Sequence, residues 1–239
     1  MFEDGNFKIP SAYASEEMMT QIRELIDKNP FISIKVSSET NIAESRQLIA
    51  SKNSGSSTKG KIMFCAHMDT KYNTEGALDN AAGVAVLMKV MEKIKDTDYP
   101  LNIEFVPFNG EEYFAASGEV EYLNNNKDKI DLVINIDSPC HKDSLSAISF
   151  YNLAEKDEAF LEELINDNNC VVKGQQWYAG DHCAFVFKGI PSLAVSSADL
   201  FKGALEYTHT QKDTVDNIDA ELITATAKFL SKLIERWNF

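Results

Sequence analysis

Three apolar runs of strand length each end abruptly at ionisable residues, and this pattern constrains the fold more than any other feature of the chain. The runs are KIMFCA before His67, NIEFVPFNG before Glu111 and Glu112, and DLVINI before Asp137. They are rich in β-branched and aromatic residues, as buried strands are. In an open α/β sheet, ligands bind in the crevice beyond the carboxyl ends of the strands. The pattern therefore predicts one site assembled from distant segments.

The rest of the chain alternates helical and strand patterns. Helical periodicity is present over residues 15–27 and 114–125 and in AAGVAVLMKVMEKIK, EKDEAFLEELIND and AELITATAKFLSKLIERW, with a short helix in GDHCAFVFKGI. Further strands are expected in LSAISFYNL and PSLAVSS, and FISIKV and ESRQLIA are expected to form an antiparallel pair. This order predicts an α/β fold: a single three-layer α/β/α domain over residues 1–239, with a mixed, mostly parallel central sheet and helices on both faces.

Composition excludes several functional classes. The net charge of −14 argues against a nucleic-acid or anionic-membrane surface, since both need clustered Lys and Arg. The opening residues lack the apolar core of a signal peptide, and no apolar run approaches the roughly 18 residues of a membrane span, which predicts a cytoplasmic protein. Cys65, Cys140, Cys170 and Cys183 are scattered, so reduced thiols are expected, with a single Cys170–Cys183 bridge as the alternative.

The first candidate ligands follow the first strand. His67 and Asp69 lie two residues apart, so an extended backbone would place both side chains on one side. A metal-bound histidine usually has its second ring nitrogen held by a carboxylate or carbonyl group. Asp79, in the loop GALDNAAG, is a candidate bridge between two cations. The alternative is that Asp79 caps the following helix, a role that Asn80 could take instead.

The remaining candidates include an acidic pair. Glu111 and Glu112 are adjacent and cannot both point the same way, so one could ligate metal while the other acts on water as a general base. The alternative is that the pair begins a helix, where acidic residues favour the positive end of the dipole. Asp137 is either a ligand or a turn residue. The candidate histidines further along are His209, which Asp213 follows, and the competing His141 and His182.

The ordered set of motifs resembles the clan MH zinc aminopeptidases of metallopeptidase family twenty-eight. AHMDT is similar to the family's His-x-Asp strand end, GALDNAAGVAVLMKVME to its Asp-Asn loop and helix, and FNGEEYFAASGEVEYL to its Glu-Glu segment. INIDSP, GDHCAFVFKGIPSLAV and YTHTQKDTVDNID are similar to its later Asp, Asp-His and His-Thr motifs. The resemblance covers residues 61–219. It implies a zinc-exopeptidase fold of the phosphorylase/hydrolase type, and we expect a single catalytic domain without room for an inserted protease-associated or lid domain.

The resemblance implies two Zn²⁺ per chain, with Co²⁺ or Mn²⁺ as possible substitutes. One ion would be held by His67 and Asp137. The other would be held by Glu112 and His209, with Asp79 bridging the two.

The resemblance also implies roles for residues that do not bind metal. Glu111 would be the general base, and the Asp79–Asn80 peptide bond would be cis. Three carboxylates and one imidazole would support the site: Asp69, Asp181, Asp213 and His182. The chain departs from the family at Gly180, where a serine is frequent, so any hydrogen bond from that hydroxyl is missing.

The resemblance implies a zinc metallopeptidase, an aminopeptidase acting on peptides with a free N-terminus. Aromatic residues near the later motifs are candidate walls for the substrate's first side chain, with ordinary packing as the alternative: Trp177, Tyr178, Phe201 and Tyr207. The preferred N-terminal residue and the oligomeric state are not indicated by the sequence.

Two other functions are compatible with this fold. A glutaminyl-cyclase-like aminoacyl transferase would use one zinc ion, whereas the presence of both His67 and His209 favours two. A non-catalytic binding domain of the same fold would be expected to lack ligands or the base, and this chain keeps the whole set.

Overall fold

The computed structural model describes residues 14, 16–29, 31, 33, 35, 37, 39, 41–42, 44–54, 58–113 and 118–237. The strands of this part of the chain are β1 (Ala50–Lys52), β2 (Lys61–His67), β3 (Asn102–Phe108), β4 (Leu132–Ile136), β5 (Ser146–Tyr151), β6 (Val171–Lys173) and β7 (Ser192–Ser197). They form one sheet in the order β1-β3-β2-β4-β7-β5-β6. The β1–β3 and β5–β7 pairs are antiparallel and the other neighbouring pairs are parallel.

Helices cover both faces of the sheet. They are α1 (Met19–Lys28), α2 (Ala82–Ile94), α3 (Gly118–Asn125), α4 (Glu155–Asn166), α5 (His182–Val186) and α6 (Ala220–Arg236). Alternate side chains of β2 point to opposite faces: Ile62 and Phe64 pack with α2, α4 and α6, whereas Met63 and Cys65 pack with α3 and α5. A strand buried on both faces needs a continuous apolar sequence, which KIMFCA supplies. The predicted α/β class with three layers and a mixed sheet is confirmed.

The register of the parallel strands sets the position of the polar residues that follow them. His67 pairs with Phe108 at the end of β3, and Ile62 pairs with Leu132 at the start of β4. The carboxyl ends of β2, β3 and β4 therefore lie along one edge of the sheet. The loops that leave these ends meet at this edge.

The amino-terminal part differs from the prediction. The strand expected over residues 44–50 begins only at Ala50 and pairs with β3. Before that point, the Gln47 side chain bonds to β3 and to the loop after it: its amide donates to the Pro107 carbonyl of β3, and its oxygen accepts from the Asn109 backbone N–H (3.3 Å). Of the expected partner strand over residues 31–36, the three described residues (31, 33 and 35) are not in a strand, and the other three lie outside the described residues.

Other boundaries shift by a few residues. The first helix is a short 3₁₀ turn at Glu16–Met18 followed by α1, and the helix expected over residues 114–125 is described from Gly118, its first residues lying outside the described part. Cys170 and Cys183 are free thiols, so the bridge between them is not formed. Among the described helices, none has both the length and the apolar character needed to cross a bilayer.

Candidate metal centre

The centre of the site is Asp79, whose two carboxylate oxygens face two different histidines. Oδ1 lies 3.1 Å from Nε2 of His67, and Oδ2 lies 3.1 Å from Nε2 of His209. The two histidines come from distant parts of the sequence, and the carboxylate of Asp79 lies between them in space. This is the placement expected of a carboxylate that bridges two cations.

A further carboxylate completes each side. Oδ1 of Asp137 lies 3.5 Å from Nε2 of His67, and Oε2 of Glu112 lies 3.0 Å from Nε2 of His209. Within each set of three residues, the candidate ligand atoms lie within 4.8 Å of one another. We call His67, Asp79 and Asp137 the buried half-site, and Asp79, Glu112 and His209 the open half-site. The five predicted ligand positions are thus brought together.

The loop before α2 frees Asp79 for this role. Asn80 takes the capping position: its Oδ1 accepts from the backbone N–H of Gly83 (3.1 Å) and of Ser138 (3.2 Å), and its amide donates to the Ile136 carbonyl (2.9 Å). A Cβ atom at Gly83 would lie 2.1 Å from Asn80 Oδ1, so only glycine fits there. The Asp79–Asn80 peptide bond is cis, as the resemblance implies.

Two aspartates hold the backbone of the ligand-bearing loops. Asp213 accepts from the backbone N–H of Leu78 (2.6 Å) and of Asp79 (3.1 Å). Asp69 accepts from the backbone N–H of both members of the glutamate pair, Glu111 and Glu112, at 3.2 Å each. Asp69 and Asp213 therefore fix the loops without entering either half-site.

The ring of His67 is fixed by a backbone group. Its Nδ1 lies 3.1 Å from the carbonyl oxygen of Asp69, closer than the 3.7 Å to the Asp69 carboxylate. With its proton on Nδ1, His67 would donate to that carbonyl and present Nε2 to the half-site. The sequence suggested a carboxylate or a carbonyl for this role, and the carbonyl is the nearer group.

The remaining polar candidates lie outside the half-sites. Nε2 of His182 lies 3.0 Å from the Trp177 carbonyl oxygen, which ties that loop down. His141 instead pairs with Asp199, at 2.7 Å between Nδ1 and Oδ2. Asp181 is fully buried, no described residue hydrogen-bonds its carboxylate, and burial raises its pKa well above the usual range.

The departure at Gly180 has a steric basis. Gly180 has φ +92°, and an added Cβ atom would lie 2.7 Å from Oδ2 of Asp137 and 3.2 Å from the ring of Trp177. The backbone therefore approaches a candidate ligand so closely that no side chain fits. A serine here would require the loop or Asp137 to move.

The carboxylates of the site raise the pKa of both His67 and His209. Burial opposes the charged form of His67, but the carboxylates of Asp137, Asp69 and Asp79 outweigh it and raise the pKa of this histidine. Contacts with Asp79 and Glu112 raise the pKa of His209 to about 10. Each histidine therefore holds a proton at neutral pH in the place where a cation would sit.

Glu111 differs from the ligands around it. Burial raises its pKa to about 8, and repulsion by the nearby Asp137 adds to this. No described residue donates a hydrogen bond to its carboxylate, and it belongs to neither half-site. A half-buried carboxylate that is free and titrates near neutral pH has the properties of a general acid–base group.

The donor atoms of the two half-sites are better suited to binding cations than to hydrogen bonding among themselves. Nε2 of His67 and Oε1 of Glu112 are buried, yet neither makes a well-aligned hydrogen bond with any described residue. Buried polar atoms are normally satisfied, so such atoms facing a cluster of carboxylates fit the ligands of a bound cation. Imidazole and carboxylate donors are the ligands that Zn²⁺ takes in catalytic sites.

Sequence reasoning missed a lysine beside the open half-site. Nζ of Lys71 lies 3.6 Å from Oε2 of Glu112, donates to the carbonyl of the same residue, and lies 4.9 Å from the centre of the Tyr113 ring. The available signal was its position two residues after Asp69, in the same loop. Lys71 adds positive charge beside the open half-site.

The predicted substrate walls divide into two groups. Trp177 and Phe201 line one small cavity of about 50 Å³ together with smaller residues. Tyr178 is exposed and stacks on Phe187, and Tyr207 packs against His141 instead. Only the first two therefore share a cavity.

Comparison with known proteins identifies a family for this chain. A family model for Peptidase family M28 matches residues 47–234. A sequence search of curated proteins gives no significant match.

Solved structures share the fold at low sequence identity. The zinc aminopeptidase BSAP from Bacillus subtilis superposes with a TM-score of 0.67 at 18% identity, over 80% of this chain and 51% of that one. An aminopeptidase from Aneurinibacillus sp. strain AM-1 gives 0.68 at 20% identity, over 80% and 47%. A glutaminyl cyclase from Bacteroides thetaiotaomicron gives 0.65 at 18% identity, over 80% and 77%.

At these identities the likeness shows the fold alone, and the chain spans about half the length of the two aminopeptidases. The family model matches most of the chain, including both half-sites and Glu111. The chain therefore belongs to Peptidase family M28.

Proposed function

We propose that the protein is a metal-dependent aminopeptidase that removes N-terminal residues from peptides, using two zinc ions and a glutamate base. The observation that carries this proposal is the placement of Asp79, with one oxygen 3.1 Å from His67 and the other 3.1 Å from His209. Membership of a peptidase family and the shared fold of two aminopeptidases support the same conclusion.

The five ligands divide between the two ions. His67 and Asp137 would hold one, Glu112 and His209 would hold the other, and Asp79 would serve both. When bound, the two zinc ions would make a water molecule more acidic and polarise the scissile carbonyl group.

Glu111 moves the proton in this proposal. Its carboxylate accepts a proton from the attacking water and then passes it to the departing amine. A pKa of about 8 before metal binds suits a group that must both accept and donate near neutral pH. Asp69 keeps this residue in place through the 3.2 Å hydrogen bond to its backbone N–H.

The substrate is a peptide with a free N-terminus. Its amino group is drawn to the carboxylates that surround the metal centre, which restricts cleavage to the first residue. The cavity lined by Trp177 and Phe201 takes that residue's side chain. Trp177 lies beside the metal centre. A Cβ atom added at Gly180 would lie 3.2 Å from the Trp177 ring and 2.7 Å from Oδ2 of Asp137, so the ring and this candidate ligand are close together.

The cavity favours small side chains. Its volume is only about 50 Å³, and small residues form much of its wall: Ala147, Gly174, Ser196, Ser197 and Ala198. An alanine or serine side chain fits such a space, whereas a leucine side chain would need Phe201 to move aside.

The direct test is hydrolysis of a panel of aminoacyl-nitroanilides by the zinc-loaded protein. We expect cleavage of substrates with small first residues, loss of activity after chelation, and recovery when zinc is restored. The matched control is the N-acetylated form of the best substrate, which should resist cleavage. Equal cleavage of the blocked substrate would contradict an aminopeptidase, and inertness across the panel would favour a non-catalytic domain.

A second candidate is a glutaminyl-cyclase-like aminoacyl transferase that uses a single zinc ion. The structural likeness to a glutaminyl cyclase favours it, although at 18% identity this concerns the fold. Release of ammonia from an N-terminal glutaminyl peptide, with the peptide bond left intact, would identify this activity. The two groups of ligands that Asp79 joins favour the two-ion peptidase.

A further inference from the structure

His209 is held in a different way from His67. Nδ1 of His67 lies against the Asp69 carbonyl, whereas no described residue forms a hydrogen bond with Nδ1 of His209. A metal-bound histidine usually needs such a second partner to fix its ring. The orientation of His209 must therefore come from its backbone, that is from residues 199–209, here called the His209 loop.

The His209 loop is fastened at its start by a histidine from another segment. Nδ1 of His141 and Oδ2 of Asp199 are 2.7 Å apart, a short hydrogen bond. Gly203 closes over this pair, because an added Cβ atom would lie 2.1 Å from Asp199 Oδ2 and 3.4 Å from His141 Cε1. The backbone of the loop therefore folds directly onto the His141–Asp199 pair.

The same imidazole contacts the far end of the loop. The ring centres of His141 and Tyr207 are 5.2 Å apart, and Tyr207 lies two residues before His209. The His141 side chain thus contacts both Asp199, the first residue of the loop, and Tyr207, two residues before His209. Between these points the loop is braced by its own turns, such as the bond from Leu205 N–H to the Leu200 carbonyl (3.0 Å).

His141 is itself attached to the core. Its backbone N–H donates to Oγ of Ser197 at the end of β7 (3.0 Å), and its backbone forms an antiparallel bridge with Ile218. Its side chain is largely buried. Anchoring through His141 therefore fixes the loop relative to the sheet that carries the other ligands.

We propose that His141, paired with Asp199, is a positioning residue for the open half-site. It fixes the His209 loop so that Nε2 of His209 meets Asp79 and Glu112, at 3.1 and 3.0 Å. This inference rests on the proposed two-metal function. His141 does not bind the metal, and it acts only through His209.

The test compares zinc binding by the parent and four variants, using competition with a chelator to measure each dissociation constant. His209→Ala identifies the ion that depends on His209. His141→Ala should weaken that same ion roughly 10- to 100-fold, the usual effect of losing an outer partner, and leave the other ion unchanged. His141→Asn keeps an N–H donor near the Nδ1 position and should recover most of the affinity. Lys142→Ala is the matched control, because its side chain reaches the Asp216 carbonyl instead.

Amide hydrogen exchange of the metal-free protein supplies a second readout. In His141→Ala, exchange should quicken over residues 199–208 and stay unchanged in β2 and β4. Binding of both ions as in the parent, or equal weakening of the two, would overturn the proposal. If His141→Ala does not fold, Asp199→Ala, which removes the other partner of the pair, must show the same selective weakening.

The outcomes separate this inference from the proposed function. If His209→Ala loses no ion, the two-metal proposal fails and the role of His141 fails with it. If His209→Ala loses one ion and His141→Ala loses none, only the positioning role is wrong.

Discussion

The two half-sites share Asp79 but differ in construction. In the buried half-site, the His67 side chain is 1% exposed and ends strand β2, with Nδ1 against a backbone carbonyl. In the open half-site, the His209 side chain is 51% exposed and lies in a loop, with a left-handed backbone at φ +60°. Lys71 adds a positive charge beside the open half-site.

This difference indicates how one fold supplies two unequal metal positions. Ligands at strand ends are fixed by the sheet, so the buried half-site is ready for a cation before it arrives. Ligands on loops must be ordered by other contacts, and the neighbouring ammonium group of Lys71 opposes a second cation. We therefore expect the buried half-site to bind zinc more tightly than the open one.

The largest predicted effect separates chemistry from metal binding. Because Glu111 belongs to neither half-site, Glu111→Gln should keep both ions and lose roughly 10²- to 10⁴-fold in turnover, the usual contribution of a general base. Glu121→Gln removes an exposed carboxylate from α3 and is the matched control. Turnover on the best nitroanilide and zinc content should be measured on the same samples. Loss of metal together with turnover would make Glu111 a ligand.

Removing one histidine from each half-site tests whether the two half-sites differ in zinc affinity. His67→Ala and His209→Ala should each weaken one ion by more than about 100-fold, because losing a ligand exceeds the 10- to 100-fold effect of losing an outer partner. Chelator competition should show that His67→Ala has lost the tighter ion. If His209→Ala loses the tighter ion instead, the order of the two half-sites is wrong.

A substitution at Asp213 tests the support of Asp79, the residue that the two half-sites share. Asp213→Asn places an amide group against the N–H groups of Leu78 and Asp79, so the bridging aspartate should shift. We expect both ions to weaken by roughly 10- to 100-fold. Asp216→Asn, an exposed aspartate nearby, should bind zinc as the parent does. An effect confined to one ion would show that Asp213 does not act through the bridge.

The pH dependence of zinc binding is a smaller predicted effect, and its sign is a loss of affinity as the pH falls. The pKa of His209 is raised to about 10, so the metal-free protein holds this proton at pH 7 and must release it when zinc binds. Affinity at the open half-site should therefore fall at least about tenfold for each pH unit below neutrality. Zinc titrations between pH 6 and 8 measure this slope. A pH-independent affinity would contradict the raised pKa.

The smallest predicted effect concerns the substrate. Phe201→Ala should widen the cavity and shift preference from alanyl towards leucyl substrates by about fivefold in kcat/KM, near 1 kcal/mol. The shift is small because Phe201 is more than half exposed. Tyr178→Ala, which removes an aromatic side chain outside the cavity, is the control. Equal shifts in the two variants would remove Phe201 from the pocket wall.

The sequence predicts the fold and the site where local patterns are strong. KIMFCA, NIEFVPF and DLVINI are unbroken apolar runs, and the ends of β2, β3 and β4 bring the residues after them together, as expected from parallel strands. The strand expected over residues 44–50 was wrong before Ala50. Its pattern could not reveal that Gln47 would contact the end of β3 through its side chain.

Contacts between distant segments account for what the sequence does not reveal. The pairing of His141 with Asp199 joins segments that carry no shared motif, and the fit of Gly180 against Asp137 depends on a loop position set by tertiary packing. The sequence therefore left His141 as a competing ligand. It also treated Gly180 only as a missing hydroxyl.

The most direct test is the zinc content of the parent protein and of Asp79→Ala after equilibration with excess zinc and desalting. The account predicts two ions per chain in the parent and fewer in the variant, because one carboxylate serves both positions. Two ions retained by Asp79→Ala would contradict the bridge, and a parent that holds one ion or none would contradict the paired centre.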